Sequence, residues 1–292
     1  PPPPPPLSLS IYIELKTPWR KFDWGQKEVL KKRLEEFSVS HPDGQIIKIL
    51  VAGQIGAGKS SFINSVNNVF RGRITSEAIV DQSRGKSFTK SLKSHRVRGA
   101  DCDLPFVLTD IMGLEPKVLE GSQPEDIISA IFGHVKDEYK FKEEEPLSHK
   151  SEDYISDPLL SDQAFCLVYI VDANTIQFAS DRLVDKLRII RIRISDKRIP
   201  QVIIMTKVDE TCPLVKDDLK KVYNSKRIKE KMHLCSEMIG VPMNCIFPVK
   251  NYHDEIELDN DVDVLILKAF EQIVNFADDR LRVAASNSEC RQ

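Results

Sequence analysis

Residues 53–60 read Gly53-Gln54-Ile55-Gly56-Ala57-Gly58-Lys59-Ser60, a G-x-x-x-x-G-K-[ST] pattern lying between an apolar run and a helical repeat. Its setting narrows the fold more than any other feature of the chain. Glycines there permit backbone angles closed to other residues, and successive amides at a helix start make a nest for an anion. Such a loop needs a buried strand behind it and a helix ahead of it. Residues 46–52 supply the strand, being rich in β-formers and nearly uncharged. Phe62, Ile63, Val66, Val69 and Phe70 then fall at helical spacing and supply the helix. In that frame Lys59 reaches the β- and γ-phosphates of a nucleotide and Ser60 ligates Mg²⁺, with the backbone from Gly53 to Ser61 around the phosphates.

Further apolar runs at 106–109, 165–171, 202–205 and 245–249 read as strands. Helical patterns at 124–135, 180–194, 215–240 (in two pieces) and 262–281 separate or follow them. Alternation of this kind predicts an α/β domain of three layers with a mainly parallel sheet covered on both faces. An amphipathic stretch at 19–37 predicts an extra N-terminal helix, with Trp19 and Trp24 stapling it to the domain. The expected organisation is an extended proline-rich arm over 1–18, one nucleotide-binding domain over 19–281, and a flexible tail over 282–292. Residues 136–162, dense in Glu, Lys, Ser and Asp, predict an exposed and partly disordered insertion within that domain.

Composition excludes several classes. The 44 acidic and 42 basic residues leave a net charge of −2, without the basic excess of a nucleic-acid binder, so no nucleic-acid partner is expected. The basic run at 188–198 is accounted for by a helix packing Leu183, Leu187, Ile190 and Ile194 inward with its arginines in water. Six cysteines lack a C-x-x-C pair or a histidine at metal spacing, which fits reduced thiols in a cytoplasmic protein. The apolar run at 164–171 is too short to span a bilayer, and no secretory leader opens the chain. The absence of an initiator Met suggests a processed product or a fragment of something longer.

Two more motifs sit at strand ends. Asp110-Ile-Met-Gly113 closes the 106–109 run; an Asp there holds Mg²⁺, and the Gly113 amide faces the γ-phosphate. Thr206-Lys207-Val208-Asp209 closes the 202–205 run. A carboxylate at Asp209 accepts the adjacent N1–H and N2–H₂ donors of guanine, a pair adenine lacks, while the stem of Lys207 lies along the base.

A phosphate loop, then D-x-x-G, then [NT]-K-x-D, each at a strand end, resembles the G domains of the P-loop GTPase superfamily. The text of residues 53–65, with Ser87-Phe-Thr89-Lys and Pro248-Val-Lys-Asn-Tyr252, is similar to the interferon-induced protein 44 family. The resemblance covers roughly residues 19–277 and lacks the additional preceding domain of larger family members. It implies GTP or GDP as ligand, Mg²⁺ as cofactor, and an interferon-responsive protein of antiviral or innate immune regulation. It further implies a mobile threonine over Mg²⁺ and the γ-phosphate, Thr89 first and Thr75 second. Val249, Lys250 and Asn251 stand where a backbone amide meets guanine O6, although the usual Ser-Ala-Lys is missing.

The resemblance also meets a departure. Leu114 follows D-x-x-G where many GTPases carry a water-orienting Gln, and Ile55 stands where an arginine finger needs room. No catalytic residue is assigned on this reading. The expected protein is a slow Mg²⁺-dependent GTPase switch, with room for a homodimer or a protein partner. The alternatives are a non-catalytic GTP/GDP-binding interaction module and, further off, an ATP-binding protein.

Overall fold

The computed structural model describes residues 14–40, 46–75, 91–100, 102–111, 113–115, 121–142 and 145–289. Six strands form one sheet in the order β2-β3-β1-β4-β5-β6. They are β1 (Ile47–Gly53), β2 (Lys93–Arg98), β3 (Asp103–Asp110), β4 (Cys166–Asp172), β5 (Gln201–Thr206) and β6 (Ile246–Pro248). All neighbours pair in parallel except β2, which runs antiparallel to β3 at the edge. The central strands are apolar on both faces because both faces are covered. Along β4, Leu167, Tyr169 and Val171 enter one core, and Cys166, Val168 and Ile170 enter the other.

The first core lies under α3 (Pro124–Ile131), α4 (Asp181–Ser195), α6 (Pro213–Asp217) and α7 (Lys226–Ile239). The second lies under α1 (Lys27–Glu35), α2 (Lys59–Arg71) and α8 (Asn260–Glu289). One further short helix, α5 (Val208–Thr211), follows β5 directly. These layers are the three expected from the sequence.

Four expectations are corrected. The N-terminal helix covers 27–35 rather than 19–37: the Asp23 carboxylate accepts the Gly25 amide at 2.9 Å in a local turn, which stops helical pairing. Residues 14–24 run instead as a strap, with Trp19 and Phe22 against Tyr223 and Phe22 against Trp24. The last helix continues to residue 289, so the expected tail is helical over 282–289. The described part of the 136–162 insertion is packed: Phe141 and Leu147 are buried, and Asp126 accepts the Leu147 amide at 2.8 Å. The His134 ring stacks on Tyr154 there at 4.9 Å. A few apolar side chains at the contact points outweigh a charged composition.

The fourth correction is β2 itself, which has only Val97 fully buried and otherwise carries lysine, serine, histidine and arginine. A polar edge strand gives no apolar run to find, and its charges discourage pairing with another chain.

Candidate functional site at the carboxyl ends of the strands

Residue 53 must be glycine. It has φ +152°, and a Cβ there would stand 2.3 Å from the Ile170 carbonyl oxygen of β4. Gly58 has φ +94° and opens α2 with no side-chain cap, and no acidic residue stands in the first turn. The helix therefore presents bare amides and the positive end of its dipole to the loop. Gly56, at φ +74°, has open space where a side chain would go. Gln54 and Ala57 shape the loop: the Ala57 amide donates to the Gln54 carbonyl at 3.2 Å.

Lys59 is buried, with Nζ 3.4 Å from the Gly53 carbonyl and 3.2 Å from that of Gln54. Its ammonium is thus held over the loop. Ser60 Oγ donates to Asp110 Oδ2 at 2.8 Å, which joins the phosphate loop to the end of β3. Hydroxyl and carboxylate oxygens side by side are the donor chemistry of a hard cation. Among the described residues no three His, Cys, Asp or Glu side chains gather as a metal cluster. A cation there would complete its shell with water and phosphate oxygens, as Mg²⁺ does. Ser61 lies in the first turn of α2, and its carbonyl accepts the Ser65 hydroxyl at 2.7 Å.

The segment after Asp110 lies along the loop. Leu114 N–H donates to the Gly53 carbonyl at 2.9 Å, and Ile55 N–H donates to the Leu114 carbonyl at 3.3 Å. A Cβ on Gly113 would meet Ile55 Cγ1 at 2.5 Å and its Cα at 3.0 Å. Leu114 is fully buried in the core beneath α3 and α4. The side chain after D-x-x-G is therefore a packing residue.

On the other side of β1 the end of β5 arrives. Thr206 is fully buried, and its Oγ1 donates to the Ala57 carbonyl at 2.7 Å. It ties β5 to the phosphate loop. Lys207 has φ +59°, and its Nζ pairs with Asp172 Oδ2 at 2.8 Å. Asp209, in α5, is half-buried on the same edge. Lys250 Nζ pairs with Glu255 Oε1 at 2.7 Å. Burial works against the Lys250 charge, yet Glu255, Asp209 and Asp259 hold its pKa above the ordinary lysine value. For Glu255 burial also opposes ionisation, but the His253 amide and Lys250 bring its pKa down to about 2.

Two residues fall elsewhere than expected, and a third lies beyond what the structure describes. Val249 offers nothing to a base: its amide donates to the Met205 carbonyl at 2.8 Å and its side chain is fully buried. Thr75 places amide and hydroxyl on Asn68 Oδ1, at 2.6 and 2.8 Å, near the opposite end of α2 from Ser60. Thr89 lies outside the described residues.

Two residues matter as supports: Asp172, which the sequence reading did not name, and Asn251, which it named for the base side rather than for the phosphate loop. Asp172, at the end of β4, fixes Lys207. Asn251 Nδ2 donates to the Gly58 carbonyl at 3.2 Å, while its buried Oδ1 meets no hydrogen-bond partner among the described residues. An Asp or Asn just past an apolar strand was the available signal.

An uncapped glycine loop after β1, a hydroxyl–carboxylate pair at β3 and a lysine–aspartate segment at β5 define a G domain of the P-loop GTPase class, and solved structures agree with the fold. The chloroplast translocon components atToc33 and psToc159, whose dimerization is described as important for GTPase activity, match with TM-score 0.50 and 16% identity over 87% of this chain and 94% of theirs. No protein-family model matches the chain. Interferon-induced protein 44 of Homo sapiens is 34% identical over 262 residues, 88% of this chain and 59% of that protein. Interferon-induced protein 44-like of Homo sapiens is 32% identical over 237 residues, 80% and 52% of the two chains. Over that span the chain is a homologue of these interferon-induced protein 44 proteins. It spans a little over half the length of these relatives.

Proposed function

We propose that the chain binds GTP or GDP together with Mg²⁺ at the carboxyl edge of its sheet and works as a slow GTPase switch in an interferon-linked innate immune response. The observation that carries this reading is the convergence of two strand ends on one loop. Thr206, the last residue of β5, and Asn251, just beyond β6, both hydrogen-bond the carbonyls of the phosphate loop, at 2.7 and 3.2 Å. Asp209 follows three residues past Thr206, in α5 directly after β5, which supports a position on the same edge as Lys59. Phosphates would rest on the amides of residues 53–61 with Lys59 above them. Ser60 and Asp110 would hold Mg²⁺, which supplies charge neutralisation at the β- and γ-oxygens. The Asp209 carboxylate would accept both donors of the guanine edge, and an adenine would leave it unmatched. The salt-bridged Lys207 and the charged Lys250 flank that position. Thr89 remains the proposed switch threonine.

Isothermal titration decides the base. GDP is expected to bind and ADP to bind far more weakly, with Asp209→Ala removing the difference and Lys59→Ala removing binding of both. Equal affinity for the two nucleotides in the unaltered protein would overturn guanine recognition.

Burial of Leu114 favours a second reading, a domain that binds nucleotide without appreciable hydrolysis. A side chain fixed in the core cannot orient water, so that group would come from a partner or a second copy of the chain. Loss of such a group costs on the order of 10³–10⁵ in rate. Phosphate release by purified protein with Mg²⁺, followed across protein concentration, separates the two. Turnover that rises with concentration supports the switch, and none at any concentration supports the binding module.

Reduced thiols fit a cytoplasmic setting: Cys102, Cys166, Cys212, Cys235 and Cys245 are all free. Among the described residues no helix is long and apolar enough to cross a membrane.

A further inference from the structure

At the amino end of β5, away from the phosphate loop, the structure has a pocket of ≈ 310 Å³. Arg191 and Ser195 of α4, Arg198, Gln201, Pro242 and Cys245 line it, and none of its lining residues is acidic. Arg191 is held in place. Arg191 Nε donates to the Gly240 carbonyl at 3.2 Å, and Arg188, one turn earlier, donates Nε to the Met238 carbonyl at 2.8 Å. Each bond uses one nitrogen and leaves the terminal fork of the guanidinium. Among the described residues neither Arg191 nor Arg198 meets a carboxylate. Arg20 adds a third positive charge nearby: its guanidinium donates to the carbonyls of Met243 and Ile246, on either side of Cys245. The Cys245 thiol is raised in pKa by burial, with Arg191 and Arg20 acting against that rise.

Arg198 also stands in the wrong conformation for its residue type. After α4 its amide donates to the Ser195 carbonyl at 2.8 Å and the Ile199 amide to the Ile194 carbonyl at 3.2 Å. This helix-ending lock needs a left-handed residue, and Arg198 has φ +57°. Elsewhere the chain uses glycine for that task, Gly72 after α2 at φ +68° and Gly240 after α7 at φ +86°. An L side chain in that region costs roughly 1 kcal/mol more than glycine. Strain kept at a residue that lines a cationic pocket argues that the side chain itself is needed there.

We propose that this pocket is a second anion site, which takes the phosphate of a small phosphomonoester between Arg191 and Arg198. Paired guanidinium forks match the geometry of phosphate oxygens. The volume suits a phosphate with a few carbons rather than a nucleotide. Ile199, Val241 and Pro242 give that organic part an apolar wall. The proposal does not depend on what occupies the phosphate loop.

Amide chemical shifts of isotope-labelled protein test it, because they report each site separately. Phenyl phosphate is the soluble probe, and vesicles of phosphatidylcholine with phosphatidic acid are the membrane probe. Saturable shifts are expected at Ser195, Arg198, Gln201, Val241 and Cys245. Arg191→Gln should weaken them by about ten-fold or more, the effect of losing one charged hydrogen bond. Arg198→Gly should weaken them as much while leaving the melting temperature unchanged or higher. A response to phenyl phosphate alone assigns a free ligand, and displacement of it by the vesicles assigns a lipid headgroup; either supports the site. Shifts confined to residues 53–61, shifts that do not saturate, or undiminished binding by Arg198→Gly would overturn it. So would a fall in melting temperature on Arg198→Gly, which would make the arginine a structural part of the helix end.

Discussion

Gly113 has no room for a side chain, and two of the atoms in its way are backbone. Ile55 N and Cα both lie 3.0 Å from where a Cβ would stand, with Cγ1 at 2.5 Å. Side-chain rotation can relieve only the last. Gly113→Ala is therefore expected to push residues 113–114 off the loop and to destabilise the protein by about 1–3 kcal/mol. Urea unfolding measures the loss, and an unchanged midpoint would mean that the two segments move apart freely.

Asp126 makes a second residue-scale prediction. It is 1% exposed in the first turn of α3, and burial lifts its pKa from 3.8 to about 6 despite the Leu147 amide bonded to it. Between about pH 4 and pH 6 the folded chain keeps a proton that the unfolded chain has released. Stability from this group therefore falls as pH rises through that window, by on the order of 3 kcal/mol, and is flat above it. Asp126→Asn, which keeps an acceptor and cannot ionise, should flatten this part of the stability curve. Denaturant unfolding at intervals from pH 4 to pH 7.5 checks it, and an identical slope in the variant would locate the titration elsewhere.

Between elements, α1 and the segment that follows it are joined to α8 by three buried carboxylates on α8, at Asp263, Glu271 and Asp278. Lys27 meets Asp263 at 2.8 Å, Arg33 meets Glu271 at 2.8 Å, and Ser40 donates to Asp278 at 2.7 Å. The pairs are unequal. Glu271 has a second cation in Lys268 at 2.8 Å, whereas Asp263, fully buried, would be left with the Tyr252 hydroxyl alone. Lys27→Ala is expected to cost about 2 kcal/mol or more and Arg33→Ala less than about 1 kcal/mol. Thermal melts of the two variants decide it, and the reverse order would contradict this account of the contact.

The same scale shows what the sequence made legible. The five apolar strands could be read because burial on both faces leaves uninterrupted β-rich runs, as in 166–172. The sixth, β2, is held mostly through its backbone, and an edge position asks little of its side chains. At the site, the glycine loop and the strand-end motifs are local patterns, so they stand out in sequence. The roles of Asp172 and Asn251 depend on partners 35 and 193 residues away, a pairing that no local pattern encodes. Val249 looked like part of the base site because of its position, but the extra backbone bond to Met205 continues the β5–β6 pairing and takes its amide.

For the whole molecule, the site is a junction of segments remote in sequence. Ser60 to Asp110 spans 50 residues, Thr206 to Ala57 spans 149, and Tyr252 to Ser65 spans 187. A ligand gripped by the phosphate loop and by Asp209 together would bind only when β1, β3 and β5 are assembled, so its binding energy adds to the stability of the whole sheet. At a hundred-fold excess over the dissociation constant that gain is about 2.7 kcal/mol. In a domain of this size it corresponds to a rise in melting temperature of roughly 5–10 °C. GDP with Mg²⁺ is expected to produce this rise and ADP with Mg²⁺ at the same concentration much less of it. Asp209→Ala should bring the two nucleotides level, and Lys59→Ala should remove both responses. Melting curves across nucleotide concentration provide the check. An ADP response equal to that of GDP would mean that the junction holds phosphate without reading the base, and a GDP response that survives Lys59→Ala would place the nucleotide outside the loop altogether.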